Sequence, residues 1–107
     1  MNINIVAIFP TQSSSALQYM IELHSFAIRE ESKKMSLSSI LDEIAVVYGV
    51  STKAIEHSLA RLLNKAKKLG TLEKMLKYAG LEEVDAQNVT LSTLVTIFRI
   101  VDKEKEK

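Results

Sequence analysis

The stretch Ile44-Ala45-Val46-Val47-Tyr48-Gly49-Val50-Ser51, continued by Ala54-Ile55-Glu56 and Leu59, decides the reading of this chain. It has the pattern of a helix, a tight turn and a second helix. Ala45 is small enough to let a second helix cross the first. Four residues on, Gly49 tolerates the positive φ that the turn demands. Val50 is expected to point inward, and Ser51 to cap the free N–H groups of the next helix. Ile55 lies where that helix packs back on the first. Such helix-turn-helix units place their second helix in the DNA major groove.

Working outward, the three glycines and single proline punctuate the rest. Upstream, Ser36 or Ser38 caps a helix running through Ile40, Leu41, Ile44, Val47 and Tyr48 to Gly49. Before it, apolar positions from Leu17 to Ile28 follow helical spacing to about Glu31, behind the loop and cap Thr11-Gln12-Ser13-Ser14-Ser15. The segment Asn2–Phe9 alternates and then runs apolar to Pro10, which reads as a strand-like or extended arm. Downstream of Ser51, the second helix of the unit buries Ile55, Leu59, Leu62, Leu63 and Ala66 and fades at Leu69-Gly70. A short helix spans Thr71 to Gly80 with Leu72, Met75, Leu76 and Tyr78 as its apolar set. Residues 81–90 form an acidic connection. Thr90 or Ser92 opens a last helix through Leu94, Val95, Ile97, Phe98 and Val101.

The fold expected is therefore all-α, a compact bundle of about five helices containing a helix-turn-helix. The divisions are an arm over 1–14, the helical domain over 15–103 and a frayed tail over 104–107.

Bulk composition narrows the function. At 107 residues the chain makes one domain, and 47% apolar with 25% charged residues is ordinary for a folded protein. No apolar run approaches the ~20 residues of a membrane span. Met1 to Pro10 lacks the basic start and cleavage site of a signal peptide. There is no cysteine, hence no disulfide framework and no thiolate chemistry. A cytoplasmic location is expected.

The net charge of +1 is unevenly distributed. Residues 53–77 hold seven basic groups, Lys53, Arg61, Lys65, Lys67, Lys68, Lys74 and Lys77, against Glu56 and Glu73, a net +5; the remainder is −4. Positive charge thus begins in the candidate recognition helix, where phosphates would be neutralised.

On that helix the core stripe leaves Thr52, Lys53, Glu56, His57 and Ala60 facing outward. Lys53 and Arg61 suit phosphates or a guanine edge, Glu56 a cytosine amino group, and His57 a base acceptor. Lys65, Lys67 and Lys68 suit phosphates, and Ser51 and Thr52 complete the candidate DNA-binding set. His24, among apolar neighbours, reads as structural. Two histidines and no cysteine do not make a zinc site. No nucleophile–base set or phosphate loop stands out, so neither an enzyme nor a cofactor is expected.

The frame Ser39-Ile40-Leu41-Asp42-Glu43-Ile44-Ala45-Val46-Val47-Tyr48, then Ile55-Glu56-His57, Gly70-Thr71-Leu72 and Tyr78-Ala79-Gly80, resembles a known family. It is similar to the DNA-binding C-terminal domain of the sporulation response regulators, stage-zero regulator A, of endospore-forming Firmicutes. The likeness runs without a gap from about Ser15 to Gly80 and continues to Lys103 with a small length change. It is one of pattern and spacing, with few identities.

The resemblance implies a transcriptional regulator of double-stranded DNA without the phosphorylatable receiver domain, for which the preceding fourteen residues are too few. The family reads a TGTCGAA-like element with arginines, a glutamate and a histidine on its recognition helix. Glu56 matches the glutamate. The arginine positions fall on Ala54, His57 and Ala60, and the histidine position on Arg61, so the target element does not carry over.

Two partner expectations follow. The apolar arm (Ile3, Ile5, Val6, Ile8, Phe9) either packs on its own helices or pairs with a second copy as a two-stranded ribbon, and a homodimer through the arm is favoured. The alternative to DNA binding is a protein-interaction adaptor or inhibitor that keeps the fold and has lost DNA reading.

Overall fold

A computed structural model describes residues 3–105 of the chain. The elements in order are α1 (Ile5–Ile8), α2 (Ser14–Ile28), a 3-10 turn (Glu30–Ser32), α3 (Leu37–Tyr48), α4 (Thr52–Leu69), α5 (Thr71–Tyr78), a second 3-10 turn (Ala86–Asn88) and α6 (Leu91–Lys105). No strand occurs among the described residues, and no helix among them is long and apolar enough to cross a membrane. The all-α expectation holds, with six helices in place of about five.

Local chemistry fixes most helix ends. Ser13, Ser36 and Ser51 each accept a hydrogen bond from the backbone N–H three residues on, opening α2, α3 and α4. Thr90 Oγ1 accepts from Thr93 N at 3.2 Å, which opens α6. α3 stops at Gly49, whose φ of 65° and ψ of 33° are left-handed. Val50 N donates back to Ala45 O at 3.1 Å, closing the six-to-one bond of a Schellman motif.

α2 sits at the centre and packs against α6, α4 and α3, while α4 also packs on α3 and α5. Phe9, Met20, Leu23, Ile40, Ile44, Ile55, Leu59, Leu72, Leu94 and Phe98 are all buried in one core. His24 meets Phe98 edge-on, with ring centroids 4.9 Å apart.

Arg99 of α6 ties this centre together. Its Nε donates to Ala27 O at 3.0 Å and its Nη2 to Met35 O at 3.0 Å, with Ser32 O at 3.5 Å. One guanidinium thereby serves the end of α2, the 3-10 turn and the approach to α3.

The arm corrects the sequence reading. Its described part is a helical turn, α1, capped by the Asn4 side chain, which accepts from Ala7 N at 3.2 Å. Ile5, Ile8 and Phe9 are buried. Their i, i+3, i+4 spacing is helical, a period that the alternation Asn2-Ile3-Asn4-Ile5 obscures. The arm packs against α2 and α5 of its own chain, and the Thr71 hydroxyl donates to Ile8 O. A helical turn held in this way offers no strand for a two-stranded ribbon. Met1 and Asn2 lie outside the described residues.

Other expectations also shift. α2 ends at Ile28, ahead of Glu31, because the chain tightens into the 3-10 turn, where the Ser32 hydroxyl donates to Phe26 O at 2.7 Å. Val50 is exposed because the left-handed Gly49 turns the chain outward, and Tyr78 is 82% exposed because Leu72, Met75 and Leu76 already fill the buried face of α5. Within the acidic connection Ala86 and Val89 are buried. α6 continues to Lys105, two residues into the expected tail; Glu106 and Lys107 lie outside the described residues.

Candidate nucleic-acid interface

α4 carries the candidate interface. Its buried stripe, Ile55, Leu59, Leu62, Leu63 and Ala66, is the one its spacing predicts. Rotating about the axis at 100° per residue sets His57, Arg61, Asn64 and Lys68 opposite that stripe. All four are exposed, as is Lys65 beside them. Asn64 was not among the sequence candidates, yet its i+7 spacing from His57 puts it on this line. A primary amide there can both donate and accept, as an adenine edge requires.

The remaining sequence candidates separate into exposed and engaged groups. Lys53 and Glu56 are exposed; at 100° per residue Lys53 falls next to Asn64 on the outward line, and Glu56 falls next to Leu63 at the edge of the buried stripe. Ser51 is exposed, but its hydroxyl accepts from Ala54 N at 3.1 Å as the helix cap. Thr52 is half-buried, and its hydroxyl donates to Asp42 Oδ1 on α3 at 2.8 Å. This bond braces the start of α4 against α3. Lys67 is half-buried with its Nζ donating to Gln87 O at 3.1 Å; it fastens α4 to the second 3-10 turn. Ala54 is exposed and Ala60 half-buried.

The outward surface changes character along the helix. The N-terminal part presents Ala54, Glu56 and His57 beside the apolar end of α3. The C-terminal part presents Arg61, Asn64, Lys65 and Lys68. Arg61 and Lys65 also border a groove of about 230 Å³, lined by Ser58 of α4 and by Thr11, Ser13 and Ala16 at the start of α2. The groove therefore joins two cations of α4 to the hydroxyl-rich approach to α2. Among the described residues, no three His, Cys, Asp or Glu side chains group as metal ligands.

No protein-family model, curated protein or solved structure matches this chain. The site has to be read from its own chemistry.

Proposed function

We propose that this chain is a small double-stranded-DNA-binding protein, acting in the cytoplasm as a transcriptional regulator or as a competitor at a regulator's sites. In this reading α3, the Gly49–Ser51 turn and α4 are a helix-turn-helix, as the resemblance to the sporulation regulators' DNA-binding domain implies. α4 enters the major groove with Glu56, His57, Arg61 and Asn64 towards base edges. Lys65 and Lys68 hold backbone phosphates. The observation that carries the reading is the exposed line of His57, Arg61, Asn64 and Lys68 opposite the core stripe of α4, with exposed Lys65 beside it. Thr52 and Lys67 support it indirectly, by holding the helix in place.

Fluorescence anisotropy tests this with three labelled duplexes, carrying the TGTCGAA-like element, its scrambled form and a random sequence, each at two salt concentrations. Binding should weaken steeply with salt, and the Lys65→Glu, Lys68→Glu double variant should lose it. Preference for the element would extend the family likeness to its target. Binding without preference would call for selection from random pools. Absence of binding to every duplex at low salt would sink the reading.

Ala54 favours a second reading. It is exposed in the first turn of α4, where the family carries an arginine, and leaves a smoother surface there. A protein-interaction adaptor or inhibitor would present such a helix. In that case charge reversal at Lys65 and Lys68 would leave partner binding little changed.

A further inference from the structure

The end of α3 carries an apolar surface that its own chain leaves open. Val46 is 79% exposed and Val47 62%, and Tyr48 and Val50 follow at 38% each. Tyr48 meets Tyr19 of α2 edge-on, with centroids 5.1 Å apart, which extends the surface across two helices. Local preference gives no reason for these valines. β-Branched residues are poorer helix formers than Lys, Glu or Gln, and at positions so exposed either of those would serve α3 better. Apolar side chains adjoining one another in this way mark a contact surface, unlike singly scattered ones.

The charges around this surface carry both signs. Glu43 stands one turn before the valines, with Asp42 beside it, and residues 35–52 contain no Lys or Arg. Glu22 of α2 lies near Tyr48; burial first, then Glu22 and Tyr19, raise the phenol above its usual pKa of 10.0. Beyond the turn, exposed Lys53 opens the basic stretch. Glu43 and Lys53 stand before and after the valines along the chain, so a two-fold axis through the valines sets Glu43 of each copy towards Lys53 of the other, twice. The net charge of +1 sets little self-repulsion against such pairing.

We propose that the outer face of α3 is a homodimer contact, with Val46, Val47 and Val50 meeting a second copy's valines and Glu43 pairing with Lys53 of that copy. This assigns Lys53 to the dimer edge and leaves the DNA-facing surface to His57, Arg61, Asn64, Lys65 and Lys68. The patch is much smaller than the ~20–30 residues a side of a standard interface. The dimer is accordingly weak.

Sedimentation velocity of the whole chain, from micromolar to millimolar concentration and without DNA, tests it. The sedimentation coefficient should rise with concentration. The Val46→Glu, Val47→Glu double variant should remain monomeric; both sites are exposed, so its helicity by circular dichroism should match the wild type. Glu43→Lys and Lys53→Glu should each raise the dissociation constant about fivefold, and the two together should restore it. A monomer up to millimolar concentration would overturn the proposal, as would a dimer that survives the valine changes. So would a Glu43→Lys, Lys53→Glu variant weaker than either single change, or a dimer dissolved by Val6→Glu on α1. Lys65→Glu with Lys68→Glu should leave self-association intact, so the dimer and the DNA reading fail independently.

Discussion

Single residues set the geometry of the α3–α4 corner, and Gly49 is the strictest of them. A Cβ added there would meet no atom within 4 Å, so the only penalty for a side chain is the left-handed backbone. Gly49→Ala should therefore cost about 1–2 kcal/mol. Gly49→Asn should cost less, since asparagine tolerates that conformation. Urea denaturation of the two variants checks the order; equal losses would point to packing and away from backbone strain. Ser51 and Gly49 were legible in the sequence because a cap and a left-handed turn need particular residue types. The bonds that engage Thr52 and Lys67 were not legible, for the opposite reason. Their partners, Asp42 and the carbonyl of Gln87, belong to other elements, and no short-range pattern signals such bonds.

At the scale of elements, α2 to α6 follow the apolar period closely, since each is long enough for a 3.6-residue repeat to show. α1 is not. Over so few residues the periods of a strand and a helix overlap, and only the pairing of Asn4 as cap with Ile5, Ile8 and Phe9 separates them. Phe9 anchors this element and is wholly buried. Phe9→Ala should cost about 3–5 kcal/mol. In thermal melts Val6→Ala, at an exposed site, should be nearly neutral beside it; similar losses would mean that α1 is held otherwise than by its buried face. Arg99 was equally invisible, because its acceptors are carbonyls that any residue supplies. Arg99→Met keeps the apolar stem and strands the carbonyls of Ala27 and Met35. A loss of about 2 kcal/mol is expected from these charge-assisted bonds, with faster hydrogen exchange at the end of α2 and the start of α3.

For the whole molecule the governing fact is charge segregation: +5 over residues 53–77 against −4 elsewhere. That division was readable in the sequence, whereas the exposed line on α4 needed the structure to separate free cations from the engaged Lys67. If Lys65 and Lys68 each neutralise a phosphate, removing both should reduce the slope of log K against log salt by about 2. Lys67→Ala should instead lower stability and leave the slope unchanged. An unaltered slope in the Lys65, Lys68 variant would remove them from the DNA contact. The two left-handed glycines, Gly49 and Gly70, bracket α4 and turn it into a ruler. Its 18 residues make a rod of about 27 Å, more than twice the roughly 12 Å width of the B-DNA major groove. A rod that long overhangs any groove it crosses. In the proposed DNA-bound state its basic end would be carried past the groove wall, and how far it reaches is set by where the second glycine stops the helix.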